Sequence, residues 1–182
     1  MRTNKMLNVE ETMVTYLEKC SELSLTARVA IALKVFDGFC AENSLSSPLI
    51  NEFTNYLWEW PLIDGPEQFT LWESSKPFLV NYGIGDDVNS ELNLLLSESR
   101  VNESRFRKII GGIVEILWGS FWGGCENEQS LNSLNIVIEQ SSVQDLPNLT
   151  PFKFSKFSDN GGWGNQVILE DVIYWKNCVN YV

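Results

Sequence analysis

The chain contains no histidine. That absence removes serine–histidine–aspartate and cysteine–histidine catalysis, histidine-bound zinc, and the commonest general base near neutral pH. Cysteine is sparse and scattered. Cys20, Cys40, Cys125 and Cys178 form no Cys-x-x-Cys pair, so a four-thiolate zinc site lacks its usual spacing and no metal is expected. The even count allows two disulfides, but reduced and mostly buried thiols are the expectation for a chain of this size without an export signal.

Long apolar runs are also missing. Nothing approaches the roughly 18 consecutive apolar residues of a membrane span. The opening MRTNKMLNVEETMV has no apolar stretch of the secretory kind and reaches Glu10 and Glu11 early, so no signal peptide is expected. The initial Met1 fits an uncleaved chain, and the expected compartment is the cytoplasm. No Gly-x-x-x-x-Gly-Lys-Ser/Thr loop occurs. YGIGDD holds Gly-x-Gly without a third glycine or a preceding strand, and Asp86-Asp87 lacks the alternating acids of a calcium loop. No cofactor is expected.

Basic residues are outnumbered, 13 against 24 acids, for a formal net charge of −11. This disfavours nucleic acid and anionic membranes, whose phosphates require a Lys/Arg surface. From Asp37 to Glu73 seven acids occur with no Lys or Arg among them: Asp37, Glu42, Glu52, Glu59, Asp64, Glu67 and Glu73. The same window holds Phe39, Phe53, Tyr56, Trp58, Trp60, Phe69 and Trp72. A small basic group, Arg100, Arg105, Arg107 and Lys108, follows later.

What is present is mostly helical spacing. Val9 to Leu23 sets Met13, Leu17 and Cys20 on one side. Leu25 to Asn43 carries Val29, Ala32, Leu33, Phe36, Phe39 and Cys40 as a stripe widened by Ile31 and Val35, which predicts a central helix. Ser47 caps and Pro48 opens a helix running to about Trp60, where Pro61 stops it. Asp64 or Gly65, Pro66 and Glu67 repeat that device, and Pro77 ends the unit. Gly83 and Gly85 are expected to supply turn freedom. Val88, Leu92, Leu95 and Leu96 form a short amphipathic helix. Asn102 caps a long one carrying Phe106, Ile109, Ile110, Ile113, Leu117 and Phe121, which Gly123-Gly124 terminates. Residues 126–140 are helical through Leu131, Leu134 and Ile138. Residues 141–166 form an irregular loop in which FKFSKF alternates as a short strand does. The tail 165–182 follows helical spacing through Ile168, Val172, Trp175 and Val179, a hairpin strand being the alternative. The expectation is a mostly α, single compact domain over residues 1–182, of about seven or eight helices, with a short β element possible near 150–170.

Carboxylates are the one catalytic currency left. Tryptophans beside acids suit a sugar-cleaving site with two flanking carboxyls, and Glu115, Glu59, Asp64 and Glu73 are the candidates. Glu115 lies three and seven residues from Trp118 and Trp122. On a covered helix its carboxylate needs a cation, for which Arg28, Lys34 or Lys108 serve, and a structural ion pair is expected over catalysis. The stretch YLWEWPLIDGPEQFTLWE, Tyr56 to Glu73, reads better as an interface. Tryptophan and tyrosine anchor hot spots, and acids steer a basic partner. Glu52, Glu59, Trp60, Asp64, Glu67, Trp72 and Glu73 are the candidate partner-binding residues.

In size, acidity and lack of catalytic groups the chain resembles the immunity proteins that bacteria carry against polymorphic or contact-dependent toxins, many of them basic nucleases. The resemblance covers the chain as a whole and rests on character rather than motif, so no functional residue carries over. It implies a non-catalytic inhibitor in a tight heterodimer, with acids such as Glu59, Asp64, Glu67 and Glu73 covering a nuclease's substrate cleft. A small helical glycan hydrolase, and a regulatory or scaffold domain self-associating through Trp60 or Trp72, are the alternatives.

Overall fold

The computed structural model describes residues 13–178. Residues 13–20 are helical (α1), with Tyr16 and Cys20 buried and Met13 and Leu17 packed on the core beside them. The earlier part of that predicted helix lies outside the described residues. Ser24 then accepts a hydrogen bond from the Ala27 amide at 3.1 Å and starts α2, Leu25–Glu42. This helix is buried almost all round, as its widened stripe predicts.

The Ser47-Pro48 start forms as expected: the Ser47 hydroxyl accepts from the Ile50 amide and α3 spans Pro48–Glu59. α3 ends at Glu59, as the Pro61 stop predicts, and Pro61 itself sits in a 3₁₀ turn, Trp60–Leu62. A 3₁₀ turn accommodates a proline near its start for the same reason an α-helix does, since the missing N–H has no partner there. Next come α4, Gly65–Ser74, and α5, Phe78–Ile84. Asn89 and Asn102 cap α6, Ser90–Glu98, and α7, Glu103–Phe121, through side-chain oxygens 2.8 and 3.0 Å from the Leu92 and Arg105 amides. α8 covers Asn127–Ser141 and α9 covers Leu169–Lys176. Among the described residues these nine helices are accompanied by no strand. They enclose one hydrophobic core and form a single helical domain.

The centre is a layer in which α7 packs along α8, α5 and α2. Glycine sets its spacing. A Cβ on Gly112 would lie 2.8 Å from Val137 Cγ2 and 2.9 Å from the Ser133 carbonyl of α8. Gly83 meets α7 in the same way, at 2.9 Å from Val114 and 3.1 Å from Ile110. Gly83 is therefore helical and there for close approach, not for turn freedom; Gly85, at φ 141°, is the residue that needs its missing Cβ to turn. Arg105, from the basic group, closes the far end of α8. Its guanidinium donates to the Gln140 and Ser141 carbonyls at 2.6 and 2.8 Å, where a cation also suits the helix dipole.

Residues 142–168 are irregular, as predicted, with 3₁₀ turns at Thr150–Phe152 and Asn160–Gly162. The FKFSKF segment is not a strand. The Ser155 amide turns back to the Phe152 carbonyl at 3.0 Å, so only an isolated antiparallel bridge between Leu23 and Lys156 forms. The tail takes the helical alternative: α9 buries Val172 and Trp175, and the Trp175 indole donates to the Pro151 carbonyl at 2.8 Å. Val179 and the residues after it lie outside the described residues. Of the membrane expectation the structure states one part: among the described residues no helix is long and apolar enough to cross a membrane.

The glycine at the α7–α8 crossing gives a direct test. Gly112→Ala should cost about 1–3 kcal/mol, because overpacking must separate two buried helices. Gly123→Ala, where an added Cβ meets nothing within 4 Å, should change stability by less than about 0.5 kcal/mol. Urea unfolding of the two variants checks the contrast.

Candidate functional site

The aromatic residues of the Tyr56–Glu73 run and those of the α7 end fold into one cluster. Tyr56 and Trp72 stack at 4.5 Å with planes 5° apart. They are locked reciprocally: the Tyr56 hydroxyl donates to the Trp72 carbonyl and the Trp72 indole donates to the Tyr56 carbonyl, each at 3.0 Å. Trp60 lies 5.3 Å from Trp72, 5.1 Å from Phe121 and 5.3 Å from Trp163. Phe69 packs edge-on against Phe121 at 5.1 Å, and Trp118 joins Trp72 and Phe121. Residues far apart in sequence thus make one ring stack, and the stack is rigid because buried rings interdigitate with little freedom.

This placement divides the seven predicted partner-binding residues. Glu52, Glu59, Asp64 and Glu67 are exposed. Trp72 is not available to a partner: it is only 4% exposed, with its face on Tyr56 and its N–H used. Trp60 is half-buried in the cluster, so neither indole offers the open self-association surface the scaffold reading needs. Glu73 is half-buried and ion-paired with Lys76 one helical turn on. The expected Asp64 cap also differs. Its carboxylate makes no cap bond to α4, while the Asp64 amide donates to the Gln68 side-chain oxygen at 3.0 Å. The Asp64 carboxylate is therefore left facing solvent.

The ion pair expected at Glu115 is absent. Glu115 is exposed, and its carboxylate accepts from the Gln129 amide at 2.9 Å. The reason is Gly119, whose missing Cβ leaves the space that Glu115 and Gln129 fill. Of the three cations expected to serve it, Arg28 is fully buried and bonded elsewhere, Lys34 donates to the Lys176 carbonyl, and Lys108 makes no ion pair among the described residues. Among the described residues the ion pairs are Lys76–Glu73 and Arg107–Glu103.

Between the Trp60–Leu62 turn and residues 160–167 lies a cavity of about 340 Å³. Trp60 and Trp163 supply indole walls, and Asp64 stands at the same cavity. Trp163 is fixed from behind, its carbonyl accepting from the Thr26 hydroxyl at 2.9 Å. Two indoles beside an uncapped carboxylate suit an alkylammonium or guanidinium, through cation–π contact and charge. Two exposed apolar residues border the cluster in sequence. Trp122, one residue beyond Phe121, is 77% exposed, and Leu71, beside Trp72, is 72% exposed. Trp122 is the C-cap of α7, followed at once by Gly123-Gly124, and its indole lies outside the packed layer that holds Phe121. Trp163, in the irregular segment, was missed because nothing local ties it to Trp60.

Protein-family models, curated proteins and solved structures provide no match to this chain. Its four cysteines are free thiols, Cys20 and Cys40 buried and Cys125 and Cys178 half-buried. Burial pushes the Cys20 thiol up to about 12, which makes it a packing residue and not a nucleophile at neutral pH.

The division between framework and surface can be measured. Trp72→Ala should destabilise the fold by about 3–5 kcal/mol, while Trp122→Ala and Glu52→Ala should stay within about 0.5 kcal/mol of the parent. Thermal and denaturant unfolding of the three variants tests the assignment.

Proposed function

We propose that this chain is a non-catalytic binding protein that neutralises a basic protein partner, in the manner of bacterial immunity proteins that block nuclease toxins. The observation that carries the reading is the cavity where the Trp60 and Trp163 indoles meet the uncapped Asp64 carboxylate. A lysine or arginine of the partner enters there. Around it Glu59 and Glu67 are exposed with no cation bonded to them among the described residues, so they attract a basic surface during encounter. Trp122 and Leu71 add apolar area of the kind that anchors interfaces. Free thiols and net acidity fit a cytoplasmic inhibitor.

The sugar-cleaving reading has less support. Of its four acids, Glu59, Asp64 and Glu115 are exposed, while Glu73 is ion-paired. None lies in the apolar shelter that keeps a general acid protonated near neutrality.

The test is calorimetric titration of the purified chain with any basic nuclease toxin encoded beside it. A one-to-one complex is expected, with association slowing as salt rises. Asp64→Lys combined with Glu67→Lys should weaken binding by at least about tenfold, and Trp122→Ala by about 30-fold, the size of a hot-spot contact. Absence of binding at low salt, or affinity unmoved by both variants, would sink the proposal.

A further inference from the structure

Most described cations of this acidic chain are occupied. Lys34 donates to the Lys176 carbonyl at 2.8 Å, Lys76 pairs with Glu73, and Lys176 lies over the Trp58 ring at 5.4 Å. Arg105 closes α8, and Arg107 binds Glu103 at 2.9 Å together with the Tyr82 and Asp86 carbonyls. Among the described residues, Lys19, Arg100, Lys108, Lys153 and Lys156 remain without a side-chain hydrogen bond, ion pair or ring contact. Three of these five, Lys19, Lys153 and Lys156, line a single cleft of about 750 Å³.

The cleft runs between the turn joining α1 to α2 and residues 149–158. Its walls are held in register by the Leu23–Lys156 bridge, by the Ser24 amide on the Ser155 carbonyl at 2.9 Å, and by the Phe157 amide on the Glu22 carbonyl at 2.9 Å. Glu22 is the one acid among its lining residues, so three ammonium groups face one carboxylate. A further positive charge stands behind the wall. The buried Arg28 guanidinium lies 4.9 Å from the centre of the Phe157 ring and donates to the Ser21 carbonyl at 2.9 Å, and both residues line the cleft. Its other partners are the Cys20 carbonyl, the Asn127 carbonyl and side-chain oxygen, and the Ser130 hydroxyl. All are neutral. No carboxylate among the described residues cancels this charge, and a buried, unneutralised charge projects its field through the low-dielectric wall further than an exposed one does.

We propose that this cleft binds a small organic polyanion, a phosphorylated or polycarboxylate metabolite whose charged head sits among Lys19, Lys153 and Lys156. Its apolar part lies against Leu23, Leu149 and Phe157. The volume falls in the range of about 300–1,000 Å³ usual for metabolite sites. Lysines without internal partners gain charge-assisted hydrogen bonds on binding and break none.

The experiment is isothermal titration of the full chain with pyrophosphate, ADP and citrate in turn. One-site binding of at least one probe is expected, weakened at least about tenfold by Lys153→Gln with Lys156→Gln. Both lysines are exposed, so the double variant should keep the parent's melting temperature. The control, Arg100→Gln with Lys108→Gln, removes the same charge from elsewhere and should leave affinity unchanged. A preference for pyrophosphate or ADP identifies the phosphate class, and a preference for citrate the carboxylate class. Failure of all three probes to bind at about 1 mM, equal binding by the lysine variant, or an equal loss in the control would overturn the proposal. Asp64→Lys, made for the partner surface, should not affect this titration.

Discussion

The buried Arg28 guanidinium is the contact on which the arrangement of the remaining elements depends. It leaves α2 in the core and ties together the end of α1 through the Cys20 and Ser21 carbonyls, the start of α8 through Asn127 and Ser130, and the irregular segment through the Phe157 ring. Burying an arginine without a carboxylate is costly unless every donor is met. Here the acceptors include carbonyls at the C-terminal end of a helix, which carry the negative end of its dipole and stand in for an anion. Desolvation lowers the guanidinium pKa only to about 10, so the group stays charged at neutral pH. Removing one partner would leave an uncompensated charge, so the four segments are fixed as a set.

Arg28 determines which segments meet, and glycine determines how closely. Gly112 and Gly83 let α8 and α5 approach α7 to distances at which any side chain would collide. That closeness buries the branched stripe of α7 and presses its last turn, with Trp118 and Phe121, onto the rings of the Trp60–Leu62 turn and α4. The aromatic cluster is thus a consequence of the central layer, and its rigidity is inherited from there. A surface that does not reorganise loses little entropy on binding.

How much of this could be read from the residues follows from the range of each interaction. Helix starts at Ser47 and Asn102 were legible because a cap is a bond between residues three apart. So was the central position of α2, because a widened stripe has no other use. FKFSKF misled because alternation signals a strand only when a neighbour supplies a ladder, and among the described residues Leu23 alone bridges it, at Lys156. Glu115 misled because its helix is not covered at that face: the carboxylate is exposed and bonded to the Gln129 side chain, so it needs none of the three cations offered for it, of which Arg28 is held by neutral oxygens at Asn127 and Ser130. Trp72 and Trp60 looked like anchors because tryptophan density marks interfaces and cores alike. The Tyr56–Trp72 interlock that decides between them is a pair of backbone-directed bonds with no sequence signature.

The same distinction reassigns the acid–aromatic run. With the indoles committed to one another, the free valence of the region is electrostatic, and it concentrates at Asp64, whose carboxylate makes no cap bond and is exposed. The irregular segment then contributes twice. Residues 160–167 close the Trp60–Asp64 cavity, while residues 149–158 form one wall of the lysine cleft. Between them Asp159 fastens the chain, its carbonyl accepting from the Gly164 amide at 3.0 Å and its carboxylate from the Asn165 side chain at 3.0 Å. The two regions carry opposite charge yet share one backbone, pinned at Ser24–Ser155 on one side and Thr26–Trp163 on the other. Ser24, the cap of α2, and Thr26, in its first turn, thus anchor both parts of the irregular segment from positions two residues apart.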